Sequence, residues 1–134
     1  MSDESGVLHV VATPIGNLED ISRRAVNVLA SVALIAAEDT RVTGRLLHHY
    51  GIDTPMLPFH DFSSDARLGD LAARLQEVDV ALVSDAGMPG ISDPAYRLVQ
   101  AALAAGAVVT PIPGATAAVT ALVASGLPTD PHQY

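Results

Sequence analysis

The chain is 134 residues long and 49% hydrophobic, with a formal charge of −8 and seven cationic side chains, all of them arginine. That length suits one domain burying roughly two-thirds of its unfolded surface. The lack of cysteine excludes disulfides and thiolate metal sites, the lack of lysine excludes a P-loop, and the acidic balance argues against gripping nucleic acid by bulk charge alone.

In chain order, residues 6–13 (GVLHVVAT) read as a strand apolar on both faces, as in a buried parallel sheet. Residues 14–17 are a turn. A helix follows with Ile21, Ala25, Val28, Leu29 and Val32 on one face. Residues 32–37 form a second buried strand, and Asp39 or Thr40 can cap a helix that carries Leu46, Leu47 and Tyr50 and stops at Gly51. Residues 55–60 form a proline-bearing strand suited to a sheet edge. A helix over 63–77, with Leu68, Leu71, Ala72 and Leu75 inward, leads to a fourth strand at 78–84. Asp93-Pro94 reads as a cap and first helical position of a helix reaching about Ala105. A fifth strand spans 107–112, and a last helix spans 115–125. The expected fold is α/β, with a mostly parallel five-stranded sheet and helices on both faces.

Ligands of open α/β sheets sit at the carboxyl ends of the strands. Three loops there are rich in glycine and proline: 14–17, 84–93 and 113–116. Each alone is an ordinary turn; three at one edge suggest a binding cleft. No G-x-G-x-x-G follows the first strand, and no G-x-S-x-G elbow occurs. The five histidines lack metal-ligand spacing, with His48 and His49 adjacent on a helix and expected to point apart, so no metal is expected. Ser84 and Ser92 have no evident histidine partner.

The segments VVATPIGNLEDIS, LIAAEDTR, LVSDAGMPGISDPAYRLV, PIPGATAAVTAL and ASGLPTD, in this order and spacing, resemble the N-terminal half of the small-subunit ribosomal RNA branch of the tetrapyrrole (corrin/porphyrin) methylases. The resemblance covers about residues 7–130. It implies S-adenosylmethionine-dependent methylation of a cytidine ribose 2′-hydroxyl in the decoding region of 16S rRNA, by a cytoplasmic homodimer with no membrane attachment. It also implies a donor-binding domain over 1–126 and a linker over 127–134 toward a second domain. A chain ending there is expected to be inactive alone and to self-associate through the apolar surface left uncovered.

By the same resemblance, Pro14 and Gly16 flank the donor, Ser84, Asp85, Ala86 and Gly87 wrap it with Ile91 against it, and Thr116 and Ala117 touch it from the fifth-strand loop. Asp85 suits the donor's positive charges, or bonds its own loop. Thr116 is alternatively a helix cap, and Asn17 reads best as a turn residue. Glu38, Asp39 and His60 end strands on the ligand side and are candidate bases; the alternatives are a cap with an acidic rim for the first two and a structural histidine for the third. Arg41 and Arg45 are candidates for RNA phosphate. Where the family shows His-Asn-Glu, this chain has His60-Asp61-Phe62. Two other functions compete: a tetrapyrrole C-methyltransferase, against which the first loop A-T-P-I-G-N stands, and a non-catalytic donor-binding module.

Overall fold

The computed structural model describes residues 6–14, 16–60, 65–84, 93–114 and 125–126. The loop 85–92, most of the expected last helix and the tail therefore lie outside the described residues. Five strands, β1 (Val7–Val11), β2 (Leu34–Ala37), β3 (Met56–Pro58), β4 (Val80–Val83) and β5 (Val108–Ile112), form one sheet of order β3-β2-β4-β1-β5. Every neighbouring pair is parallel, so the expected "mostly parallel" sheet is parallel throughout. Four helices connect them: α1 (Arg23–Ser31), α2 (Thr40–His49), α3 (Asp65–Arg74) and α4 (Asp93–Ala104).

The central strands β2 and β4 bury both faces, which is why their sequences run apolar without alternating. Leu8, Leu34, Ala36, Val80 and Leu82 pack with Leu71, Leu75 and Leu98 of the α3–α4 side. Val11, Ile35, Ala37, Ala81 and Val83 pack with Leu29, Leu46 and Leu47 of the α1–α2 side. Leu29, Leu71, Leu75 and Leu98 are wholly buried, each worth about 1.5–3 kcal/mol of apolar burial.

Local signals set the helix ends. The Ser22 hydroxyl accepts the Ala25 N–H at 3.1 Å to start α1, and Asp39 accepts the Arg41 N–H at 2.9 Å to start α2. Gly51, at φ +67°, follows the end of α2. Val32 ends α1 as its C-cap instead of opening β2, because its N–H still bonds the Val28 carbonyl. Helix α4 includes Asp93 as its first residue, one position earlier than expected; Pro94 then falls in the first turn, where a missing N–H costs nothing.

Strand β3 lies at one edge, as its proline suggested, and β5 at the other. Carbonyls and N–H groups alternate sides along a strand. Pro55 and Phe59 bond toward β2, so Pro58 faces outward, and its carbonyl accepts from Arg67 at 2.5 Å. The Ile112 carbonyl bonds Ala12, so Pro111 on the other edge also faces outward.

Candidate functional site

Strands β2 and β4 are neighbours, yet their connections diverge. β2 feeds α2 toward β3 on one face, and β4 feeds α4 toward β5 on the other. Such a divergence opens a crevice at the carboxyl ends of the strands. A cavity of about 310 Å³ lies beside it, lined from the β1 exit by Thr13, Pro14, Gly16, Asn17 and Leu18, from α2 by Val42, Thr43, Arg45 and Leu46, and from the β4 exit by Ser84.

The β1 exit is fixed at both ends. Ala12 donates to the Ile112 carbonyl at 3.2 Å, and the Thr13 hydroxyl donates to the Ser84 carbonyl at 3.4 Å, bridging β1 to β4. Thr13 and Pro14 are buried. Gly16 takes φ +92°, which lets the chain turn back over α2. Asn17 is the turn residue expected: its side chain accepts the Glu19 N–H at 2.9 Å and starts a 3-10 turn over Leu18–Asp20. The Tyr50 hydroxyl, from the end of α2, donates to the Leu18 carbonyl at 2.6 Å and holds this turn beside the cavity. Across the opening, the β5 exit approaches closely: a Cβ on Gly114 would lie 2.9 Å from that of Ala12.

Of the residues singled out from the sequence, Pro14, Gly16, Ser84 and Arg45 line this cavity. Asp85, Ala86, Gly87, Ile91, Thr116 and Ala117 lie outside the described residues. Glu38 is exposed at the β2 exit, and its N–H donates to the Val83 carbonyl at 3.3 Å, which sets it next to the β4 exit. Asp39 is engaged differently. Its carboxylate caps α2 and takes the Arg41 guanidinium at 3.0 and 3.2 Å. Those side-chain bonds first, and the Arg41 N–H second, hold its carboxyl below the usual carboxylate range. His60 follows the edge strand β3, three strand spacings from β1, or roughly 14 Å across the sheet. Arg41 lies on the outer face of α2, where it borders a shallow groove together with Arg45, His48 and His49. Both histidines border this groove, and the His49 ring packs edge-on against Tyr50.

Sequence reasoning missed Thr13, Leu18, Val42, Thr43 and Leu46 as lining residues. Thr43 carried a signal: it is a hydroxyl in an otherwise apolar helical stripe, and it is 2% exposed. Among the described residues, no group of three His, Asp or Glu side chains could hold a metal ion.

Similarity to known proteins follows the same outline. A protein named ribosomal RNA small subunit methyltransferase I from Synechocystis sp. is 56% identical over 126 residues, covering 93% of this chain and 45% of its own length. Proteins of the same name from Halalkalibacterium halodurans and Escherichia coli O157:H7 are 53% and 52% identical, each over 98% of this chain and 46% of their own. The chain therefore spans about half the length of these relatives. Among solved structures, a conserved hypothetical protein from Aeropyrum pernix K1 superposes with a TM-score of 0.75 at 19% identity, covering 94% of this chain and 45% of its own. Uroporphyrin-III-C-methyltransferase from Thermus thermophilus does so at 0.64 and 24% identity, over 92% of this chain and 53% of its own; both show a shared fold. The tetrapyrrole (corrin/porphyrin) methylases match residues 7–133, nearly the whole sequence, and the chain belongs to that family.

Proposed function

We propose that this chain is the donor-binding part of an S-adenosylmethionine-dependent methyltransferase that modifies a cytidine ribose 2′-hydroxyl in 16S rRNA of the small ribosomal subunit. The observation that carries this reading is the 52–56% identity, across nearly the whole chain, to proteins named for small-subunit rRNA methylation. The work would take place in the cytoplasm, where ribosomes are assembled, and the working unit would be the homodimer that the sequence resemblance implies.

The cavity suits part of the donor. Its volume lies at the bottom of the range for small-molecule sites, roughly 300–1,000 Å³. Pro14, Leu18, Val42 and Leu46 offer apolar walls, and Thr13, Asn17 and Thr43 offer polar groups. No carboxylate lines it among the described residues, so the ammonium partner in this reading is Asp85. Pro14, Gly16, Ser84, Ala86, Gly87, Ile91, Thr116 and Ala117 complete the proposed donor contacts.

When bound, S-adenosylmethionine supplies a methyl group activated by its sulfonium. The chain's residues must align the ribose oxygen with it and receive the hydroxyl proton. The oxygen–methyl bond then forms as the sulfur–methyl bond breaks, leaving a neutral thioether. Alignment contributes roughly 7–11 kcal/mol to lowering such barriers, and a general base about 10²–10⁴-fold. Glu38 is the best placed base, because it stands beside the β4 exit while His60 lies at the far edge of the sheet.

The test is a chimera in which this chain replaces the matching residues of the Synechocystis relative. Undermethylated 30S particles, labelled donor and nucleoside mass spectrometry should reveal 2′-O-methylcytidine. Methylation of uroporphyrinogen instead would point to the tetrapyrrole reaction. Donor binding with no transfer to either acceptor would support a binding module.

A further inference from the structure

The outer face of α2 differs in charge from the rest of this acidic chain. No Asp or Glu occurs between Thr40 and Ile52, while Arg41, Arg45, His48 and His49 fall within two and a half turns. Elsewhere, Arg74 and Arg97 each face a carboxylate, Asp70 and Asp65. Here Asp39 holds the Arg41 guanidinium in place through two contacts, and Arg45 is the other cation of this edge, with His48 and His49 beside it.

The groove's form adds a second observation. Gly44 and Leu18 supply a small apolar floor, and the arginines and histidines supply the rim. A flat apolar surface edged by cations and imidazoles matches one unpaired nucleotide: the base rests on the floor and the phosphate meets the rim. Leu18 and Arg45 line both this groove and the cavity at the strand ends, so the two adjoin.

From this juxtaposition we infer that the α2 groove is a subsite for an unpaired nucleotide flanking the acceptor in single-stranded RNA. The inference rests on the RNA-methylating reading and deepens it. Affinity arises from the Arg45 and His48 edge and from apolar contact of the base with Leu18, with Arg41 set in place by Asp39.

The experiment measures binding of a fluorescein-labelled, unstructured eight-nucleotide RNA to this chain by anisotropy across a salt series. Arg45→Gln should lower the slope of log affinity against log salt by about 0.7, the value for one single-strand phosphate contact. Leu18→Ser should weaken binding about fivefold with the slope unchanged, as loss of an uncharged apolar contact requires. Arg24→Gln, an exposed arginine on α1 away from the groove, should change nothing, and circular dichroism of each variant checks folding. An equal loss in Arg24→Gln and Arg45→Gln, or no binding by the parent chain, would overturn the inference. Should the chimera methylate 30S particles while groove variants bind like the parent, the subsite falls and the functional reading stands. Failure of the parent chimera on 30S removes that reading, and the oligonucleotide result then decides the groove separately.

Discussion

The Tyr50 hydroxyl donates to the carbonyl of Leu18, 32 residues earlier, at 2.6 Å. One bond thus ties the end of α2 to the turn that walls the cavity. Tyr50→Phe keeps the ring's edge contact with His49 and removes only the bond. The expected stability loss is about 1 kcal/mol in a urea melt. Affinity for S-adenosylhomocysteine, by calorimetry, should fall by more than that loss explains, since the turn would no longer be held.

The crowding of Gly114 against Ala12 predicts a second effect. A methyl group at Gly114 would sit 2.9 Å from the Ala12 Cβ, so the β5 exit must shift away from the β1 exit. Gly114→Ala should destabilise by about 1–3 kcal/mol, as overpacking does, and should weaken donor binding. Gly69→Ala, on α3 with open space around it, should be stabilising by about 0.5–1 kcal/mol. Equal behaviour of the two variants in thermal melts would refute the steric account.

Asp39 gives a pH signature. Its folded-state pKa lies below its ordinary value of 3.8, so the unfolded chain binds the proton more readily. The stabilisation is therefore present above 3.8 and is lost as pH falls through the lower folded value. Asp39→Asn keeps a capping side chain but not the charge. The variant should be less stable than the parent at pH 7, with the gap closing below 3.8, as urea melts at a series of pH values would show.

For catalysis, Glu38→Gln in the chimera should lower the methyl-transfer rate about 10²–10⁴-fold with S-adenosylhomocysteine affinity unchanged. Asp39→Asn and His60→Gln should each cost less. A larger loss from His60→Gln would shift the role of base to the far edge of the sheet.

The alternation of strands and helices could be read directly, because buried parallel strands and one-sided helices leave different periods. Ile21, Ala25, Val28 and Leu29 do face one core, and Leu71 and Leu75 another. The strand ends came out shorter, since residues such as Val32 complete a helix before the next strand begins. The glycine- and proline-rich loop at 14–17 pointed to the cavity. The far wall showed only in Thr43, the hydroxyl in an apolar stripe, because Val42 and Leu46 look like any helix face until α2 docks. The Tyr50–Leu18 and Thr13–Ser84 bonds join positions 32 and 71 apart, which no local pattern encodes.

Both outer strands of the sheet turn a proline outward, Pro58 on one rim and Pro111 on the other. At each rim one of the outward positions has no N–H to offer a passing strand, and on the β3 rim Arg67 already occupies the carbonyl beside it. Rows of unpaired backbone groups are where sheets recruit other chains and grow into aggregates. The sheet is blunted at both margins, so copies that do associate are steered toward side-chain surfaces, away from continuous strand addition.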